Sequence, residues 1–284
     1  MIPANLAYQA PATLAEAIAL LAGTPGATVL AGGQSLIPAL TTGRASASLL
    51  VDLRRVPGLA GITRSGGTLR VGAATTLDAL ASSAEVAGGW GALADAARAA
   101  GDAQVRNRAT VGGSLAAGHP AGDLIAAAIA LGGVVVAAGP GGERRIPGAA
   151  LVVGPYRTSL AAGEIVVALE VPAASGASAY VKQRHPGSGY AIVGVAAAVA
   201  TGADGAVSAV ALAITGAGDA PVAVDGAALA GRSPAEAATA APDTVAAAGL
   251  RATTDLAASA EYRAHLAGVL AGRAISLAGS RLAR

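Results

Sequence analysis

The chain has 284 residues, a formal net charge of +2 and a pI near 9.3, a length that suits two or three subdomains rather than one small core. The arginines are scattered and only 2% of the residues are aromatic, which argues against a nucleic-acid partner. Cysteine is absent, which excludes disulfides, thiolate chemistry and a cysteine-ligated iron–sulfur cluster on this chain.

The sequence predicts neither a metal site nor a targeting segment. The three histidines lie far apart and lack metal-ligand spacing. The first charged residue is Glu16 and the first basic one is Arg44, so a basic leader is missing. Glycine-rich turns divide the uncharged stretch 124–142 into pieces too short to span a bilayer. We therefore expect a cytoplasmic protein.

The first half of the chain reads as two α/β subdomains, residues 1–56 and 57–175. Residues 11–22 predict a helix that begins at a capping box formed by Thr13 and Glu16. The segments ATVLAGG and SLLVDL predict buried strands. Further on, TLRVG, VVVAAG and EIVVALEV predict strands. Helices are predicted over TLDALASS, with Thr76 as its cap, and over GALADAARAA and LIAAAIAL.

From residue 176 onward the pattern changes to strands followed by helices. SAYVKQRHP, YAIVGVAAAVAT and AVSAVALAITGAG predict a three-stranded antiparallel sheet, with GADG as a hairpin turn. SPAEAATAAPDTVAAAGL and SAEYRAHLAGVLAGRAISLAG predict two helices. The whole chain is therefore assigned to the α+β class, with a C-terminal domain over residues 176–284.

Two loops, LAGGQSLIPAL at residues 30–40 and TVGGSLAAG at 110–118, repeat a glycine pair followed by polar residues. Glycine allows close backbone approach and positive φ, so consecutive N–H groups can converge on an anion. Gln34, Ser35 and Ser114 add side-chain donors, and together these groups suit a diphosphate. Taken alone, each loop is also typical of a structural turn.

The common nucleotide motifs do not explain these loops. Neither loop gives G-x-G-x-x-G after a strand, so a Rossmann site is not supported. His119 and Pro120 stand where a P-loop requires Lys and Ser or Thr, so ATP hydrolysis is not supported either.

Six segments, in this order, resemble one known family: LAGGQSLIPAL, LLVDLRRVPGLAGI, VGAATTLDAL, GDAQVRNRATVGGSLAAGHPAGD, VGPYRTSLAAGEIVVALEVP and YVKQRHPGSGYAIVGVAA. The family is the FAD-binding medium subunit of the molybdenum hydroxylases, which include aerobic carbon monoxide dehydrogenase and split-subunit relatives of xanthine dehydrogenase. The resemblance covers nearly the full length. It implies a two-subdomain FAD-binding domain of the vanillyl-alcohol-oxidase/PCMH type, followed by the C-terminal domain.

The resemblance also implies a set of cofactor-binding residues, with no catalytic residue and no metal ligand on this chain. Two loops on different subdomains would hold the FAD diphosphate, and Asp123 would contact the adenosine side, with a helix N-cap as its alternative role. Lys182, the only lysine, would lie near the flavin, with a solvated side chain as the alternative. The loop residues are Ala31, Gly32, Gly33, Gln34 and Ser35 in one and Thr110, Val111, Gly112, Gly113 and Ser114 in the other.

Two further positions are implied to lie beside the flavin ring. Val166 would be an apolar neighbour of the ring, and Tyr190 would cover one face of it, unless it is a core tyrosine at a strand edge. The chain departs from the family at Ala117, Gly118 and His119, where many relatives have a His-Ala pair and an acidic residue. The family's contacts are therefore not carried over to the tip of this loop.

The function implied by the resemblance is electron transfer within a heterotrimer. A large partner would carry the molybdenum cofactor and a small partner two [2Fe–2S] clusters, and the complex would be a dimer of heterotrimers in the manner of the family. The FAD of this chain would collect electrons for an external acceptor, with peripheral contact to a membrane acceptor as one arrangement. A self-sufficient FAD oxidase of the same fold and a non-catalytic scaffold are the alternatives. The substrate is left open, because the molybdenum subunit selects it.

Overall fold

The N-terminal unit is a small parallel sheet with two helices, in a computed structural model that describes residues 6–173 and 175–282. Its elements are β1 (Ala7–Gln9), α1 (Leu14–Gly23), β2 (Ala27–Leu30), α2 (Leu36–Thr41) and β3 (Leu49–Asp52). The strand order is β1-β3-β2. The predicted capping box is confirmed, since the Thr13 hydroxyl accepts from the Glu16 amide at 3.2 Å. Strand β1 and helix α2 were not predicted.

A second sheet of antiparallel strands forms the centre of the first half of the chain. Its strands, with a short hairpin of two more, are β4 (Ile62–Ser65), β5 (Thr68–Gly72), β6 (Val134–Gly139), β7 (Gly142–Pro147), β8 (Val152–Gly154), β9 (Arg157–Thr158) and β10 (Ile165–Val171). The five-stranded sheet has the order β4-β5-β10-β6-β7, and β8 pairs with β9. Strand β10 is central and buried on both faces: Ile165 and Val167 face the N-terminal unit, whereas Val166 and Leu169 belong to the main core.

Seven short helices connect these strands and form much of the main core. They are α3 (Leu77–Ser82), α4 (Ala84–Gly89), α5 (Gly91–Ala99), α6 (Ala103–Arg106), α7 (Val111–Ala116), α8 (Asp123–Ala130) and α9 (Gly148–Leu151). The predicted Thr76 cap of α3 is confirmed at 3.1 Å. Helices α5 and α8 are largely buried, because they pack against each other and against the C-terminal sheet.

The C-terminal part is an antiparallel sheet covered by two helices. Its elements are β11 (Ala177–Arg184), β12 (Ala191–Thr201), β13 (Val207–Thr215), β14 (Val222–Asp225), α10 (Pro234–Ala247) and α11 (Ala260–Leu282). The sheet has four strands, so the prediction of three was wrong. The fourth strand has only four residues and follows Pro221, which hides it from a pattern search.

The two faces of the C-terminal sheet have different partners. One face packs against α10 and α11 in a core of its own, whereas Tyr180, Ala196 and Ala213 join the main core. Arg281 near the end of α11 also pairs with Asp95 on α5 at 2.8 Å. Within the residues that the structure describes, no helix is long and apolar enough to cross a membrane.

Candidate functional site

The first glycine loop presents a row of main-chain amides with no partner. Residues 31–35 connect β2 to α2, and Gly33 has φ of 75°, a conformation that favours glycine. The amides of residues 31–36 donate to no acceptor in the described parts of the chain. Six consecutive donors without partners, beside the exposed side chains of Gln34 and Ser35, form a donor set suited to an anionic group such as a diphosphate.

The second glycine loop is built differently, and here the expectation of free amides was wrong. The Val111 amide donates to the Thr75 carbonyl at 2.9 Å, and the Gly112 amide to the Ala73 carbonyl at 2.8 Å. Thr110 caps helix α7: its hydroxyl accepts from the Gly113 amide at 3.2 Å, and its carbonyl accepts from the Ser114 amide. The loop therefore offers the Ser114 hydroxyl and a rigid turn rather than free N–H groups.

The two loops nevertheless lie against each other, as the two-loop hypothesis requires. A Cβ added at Gly32 would overlap the carbonyl oxygen of Arg108, so the absence of a side chain permits this approach. A Cβ at Gly113 would lie 3.9 Å from the Ala31 Cβ. Loops almost eighty residues apart in sequence are thus brought into backbone contact.

A cavity of ≈ 310 Å³ opens beside the first loop. It is lined by Leu30, Ala31, Gly32, Gly33, Gln34, Ile37, Pro38, Arg54 and Arg108. A second cavity of ≈ 270 Å³ shares Arg54 with it and is lined by Tyr8, Asp52, Arg54 and Arg55. Leu30 ends β2 and Asp52 ends β3, so both cavities lie at this end of the parallel sheet.

Arg54 is held in place between these cavities. Its Nη2 lies 2.6 Å from Asp52 Oδ2, and the Tyr8 hydroxyl donates to the same oxygen at 2.7 Å. Burial opposes ionisation of Asp52, but the hydrogen bonds from Arg54 and Tyr8 outweigh it and hold the pKa of Asp52 below its ordinary value. The carboxylate is therefore ionised and compensates the guanidinium.

Asp123 and Lys182 form a buried ion pair. Lys182 Nζ lies 2.9 Å from Asp123 Oδ2, and the two side chains are only 6% and 7% exposed. The Tyr180 hydroxyl donates to Asp123 Oδ1 at 2.5 Å, and Lys182 also donates to the Gly189 carbonyl at 3.0 Å. Burial raises the pKa of Asp123, although Lys182 and Tyr180 favour its ionised form.

The structure excludes the alternative roles that the sequence left open for Asp123 and Lys182. Helix α8 has Gly122 as its N-cap without a side-chain bond, so the N-cap role for Asp123 was wrong. The solvated alternative for Lys182 was also wrong, since its side chain is buried. Alternation along β11 places residues 180 and 182 on one face of the sheet, which explains why both reach Asp123.

The two positions implied to flank the flavin ring differ in exposure. Val166 is 4% exposed and packs in the main core. Tyr190 is 41% exposed and precedes β12, so its alternative as a core tyrosine was wrong. Burial of part of its ring raises the pKa of Tyr190, whereas a hydrogen bond with the Ser35 side chain acts to lower it. Tyr190 therefore lies beside the first loop.

His119 connects Tyr190 to the second loop. Its ring stacks on Tyr190 with centroids 4.0 Å apart and planes 9° apart, and it meets Tyr156 edge-on at 5.1 Å. His119 Nδ1 accepts from the Ala121 amide at 3.0 Å, so a neutral ring carries its proton on Nε2, which lies 3.3 Å from the Tyr156 hydroxyl. Burial lowers the pKa of His119 to about 4.

Sequence reasoning missed four residues of this region: Arg54, Arg108, His119 and Tyr156. The arginines resemble the other scattered arginines of the chain, and nothing in the local sequence marks them. A clue existed for His119, because it directly follows the second loop at Gly118. Tyr156 adopts φ of 56°, which is unusual for a non-glycine residue but cannot be read from sequence.

Comparison with known proteins agrees with this architecture. The family model described as FAD binding domain in molybdopterin dehydrogenase matches residues 4–174, and the CO dehydrogenase flavoprotein C-terminal domain matches residues 178–278. The carbon monoxide dehydrogenase medium chain of Hydrogenophaga pseudoflava is 41% identical over 200 residues, 69% of this chain and 69% of that protein.

A further relative and a solved structure extend the comparison. The 6-hydroxypseudooxynicotine dehydrogenase complex subunit alpha of Paenarthrobacter nicotinovorans is 39% identical over 203 residues, 70% of this chain and 68% of that protein. A solved chain of carbon monoxide dehydrogenase from Hydrogenophaga pseudoflava superposes with a TM-score of 0.92 at 36% identity, covering 99% of this chain and 100% of that one. The chain therefore belongs to the family of FAD-binding medium subunits of the molybdenum hydroxylases, a class of enzymes that includes carbon monoxide dehydrogenase.

Proposed function

We propose that this chain is the electron-transfer subunit of a heterotrimeric molybdenum hydroxylase. It takes electrons from [2Fe–2S] clusters of a small partner and passes them to an external acceptor, while a large partner holds the molybdenum cofactor. Bound FAD supplies the ability to accept and release electrons. Relatives named as a medium chain and as a complex subunit support the assignment to a multi-subunit enzyme.

The row of partnerless amides at residues 31–36 carries the proposal for the cofactor site. Residues 31–34 of this row line the ≈ 310 Å³ cavity, and Ala31 and Gly32 lie close to the second loop and the residues just before it. A diphosphate accepting from them would satisfy polar groups that have no protein partner. In this assignment the second loop supports the first through the Gly32–Arg108 contact and adds the Ser114 hydroxyl.

Asp123 and Lys182 are proposed to bind FAD as a preformed pair. An ammonium group has three donors, and Lys182 uses two of them on Asp123 and Gly189. The third can serve a flavin carbonyl. Each Asp123 oxygen accepts one hydrogen bond here and retains a lone pair for a hydroxyl of the cofactor.

Tyr190 is proposed to cover one face of the flavin ring. Its partial exposure beside Ser35 fits that role. Val166 is buried, so we assign it a contribution to the wall behind the ring through the packing of β10. Neither residue is assigned a proton-transfer step.

The larger-scale assignments are part of the same proposal. The division into a FAD-binding domain at residues 1–175 and a C-terminal domain at 176–284 follows the change of pattern in the sequence. A dimer of heterotrimers, a cytoplasmic location and peripheral contact with a membrane acceptor complete it.

The experiment uses the complex purified with its partner chains. Flavin is removed by Gly33→Val or by salt extraction of the wild-type complex, and the extracted complex is then reconstituted with FAD. We expect the substrate still to bleach the iron–sulfur absorption in the flavin-free complex, whereas acceptor reduction disappears and returns on reconstitution. Acceptor reduction that continues unchanged without flavin would contradict the proposal.

Two other outcomes would favour the alternatives. Substrate turnover by the isolated chain loaded with FAD would favour a self-sufficient oxidase. Failure of the purified chain to take up FAD at any concentration would favour a non-catalytic scaffold.

A further inference from the structure

The cavity beside the first loop contains two positively charged residues and, among the described residues that line it, no acidic one. The charged residues are Arg54 and Arg108. The remaining lining residues are apolar or glycine, apart from Gln34. An anion placed against the amides of residues 31–36 would therefore have these two guanidinium groups in the wall of its cavity as candidates for neutralisation.

Arg54 is not available as a net positive charge. Its Nε and Nη2 atoms contact both oxygens of Asp52 at 2.6–3.1 Å, and the Arg54 amide donates to Asp52 Oδ1 at 2.9 Å. The carboxylate is buried, with an exposed fraction of 1%. Arg54 and Asp52 together are neutral, so this arginine forms a fixed wall of the cavity.

Arg108 has the opposite character. Its side chain is exposed and makes no hydrogen bond or ion pair with any residue from 6–173 or 175–282. Its backbone is fixed, because its carbonyl packs directly on Gly32 and its amide donates to the Val105 carbonyl at 3.0 Å. A free guanidinium on a long side chain is thus anchored at the contact between the two loops.

We propose that Arg108 is the counter-ion of the FAD diphosphate. Loop amides contribute partial charges, whereas the diphosphate carries full negative charges that a guanidinium pairs with in bidentate fashion. Arg108, two residues before the second loop, supplies this charge to a group bound by the amides of the first loop. The inference rests on the proposed placement of FAD at the first loop.

The test measures the dissociation constant of FAD by isothermal titration with the full chain depleted of flavin. Arg108→Gln is compared with Arg108→Lys and with the matched control Arg273→Gln, which removes an exposed arginine of helix α11. We expect Arg108→Gln to weaken FAD binding by about 10-fold, because a charge-assisted bond is replaced by a neutral one. Arg108→Lys should recover part of the loss, since lysine retains the positive charge but lacks the paired N–H donors of a guanidinium.

A second measurement identifies the phosphate as the partner. The salt dependence of FAD affinity should be shallower in Arg108→Gln than in wild type. ADP should lose affinity to the same extent as FAD, whereas riboflavin, which lacks phosphate, should not distinguish the variants. Equal FAD affinities for wild type and Arg108→Gln would overturn the inference while leaving the FAD site intact. Absence of FAD binding by the wild type would instead contradict the proposed function.

Discussion

The two glycine loops look alike in sequence and differ in how their main-chain donors are used. In the first loop the amides of residues 31–36 find no acceptor in the described structure, whereas in the second the amides of residues 111–114 are all bonded within the protein. The second loop lies against the end of β5, whose following residues Ala73 and Thr75 supply carbonyl acceptors. The first loop extends past the end of a parallel sheet, where ligands commonly bind.

The same glycine-pair motif can therefore serve either to bind a ligand or to support another loop. A glycine pair permits close approach, but neighbouring chain segments decide whether the approaching group is a ligand or protein backbone. In this protein the first loop is open to a ligand. The second loop is a rigid support that holds the first in position.

The contact between the loops gives the largest expected effect. Gly32→Val places side-chain atoms where the Arg108 carbonyl and the Ala109 backbone lie, so the loops must separate. We expect near-complete loss of FAD retention and a loss of about 1–3 kcal/mol of unfolding free energy, as for overpacked sites. Flavin absorbance after gel filtration measures the first effect, and urea unfolding measures the second.

Gly23→Ala is the control for this variant, because a Cβ there meets nothing within 4 Å. A Gly32→Val protein that keeps its flavin would disprove the role of this contact.

The difference between the loops is tested directly by one alanine in each. Gly33 has positive φ, so Gly33→Ala strains the first loop by roughly 1–2 kcal/mol and turns its amides away. Gly113 lies in helix α7 without positive φ, and its new Cβ would meet chiefly the Thr110 hydroxyl at 2.9 Å. We expect about a 10-fold loss of FAD affinity for Gly33→Ala and a smaller loss for Gly113→Ala. Equal losses would mean that both loops bind the diphosphate alike.

Much of the fold could be predicted, because its signals are local. The Thr13–Glu16 capping box, the Thr76 cap and the hairpin at residues 202–205 each involve residues within a few positions of one another. The elements that were missed are short: β1 has three residues, β14 four and α2 six. Their stability comes from neighbouring strands and helices, so the local pattern is weak.

The site could be predicted only in part. The resemblance supplied both loops, Asp123, Lys182 and Tyr190, but not how they are arranged. The pairing of Asp123 with Lys182 joins residues 59 positions apart, and the acceptors of the Val111 and Gly112 amides lie over thirty residues away. Such long-range pairs follow from tertiary packing, which a single sequence does not reveal.

A smaller effect is expected when the cap of the second loop is removed. Thr110→Val keeps the shape but removes the hydroxyl that accepts from the Gly113 amide. Loss of such a cap costs about 1 kcal/mol of stability, which urea unfolding would measure. The variant leaves the Gly113 amide without its acceptor but removes no donor from the first loop. FAD affinity should therefore fall by less than for Gly33→Ala. A larger fall would show that the Thr110 hydroxyl contacts the cofactor itself.

The last effect appears only at acidic pH and concerns the aromatic group beside the loops, which is formed by His119, Tyr156 and Tyr190. His119 is neutral in the folded protein down to a pKa of about 4, whereas an unfolded histidine titrates near about 6.5. The unfolded state therefore binds the extra proton first, and the stabilisation present above pH 6.5 is lost as pH falls towards 4. One such group changes the unfolding free energy by at most about 1.4 kcal/mol per pH unit.

His119→Gln should flatten this dependence between pH 6.5 and 4, as measured by urea unfolding at a series of pH values. His265→Gln is the matched control, because His265 is exposed on α11. Loss of the stacked ring should also free Tyr190, since its ring lies 4.0 Å from His119. An unchanged pH profile would mean that His119 is accessible to protons in the folded state. In that case the rings of His119, Tyr156 and Tyr190 would be mobile and open to solvent rather than packed in one position beside the first loop.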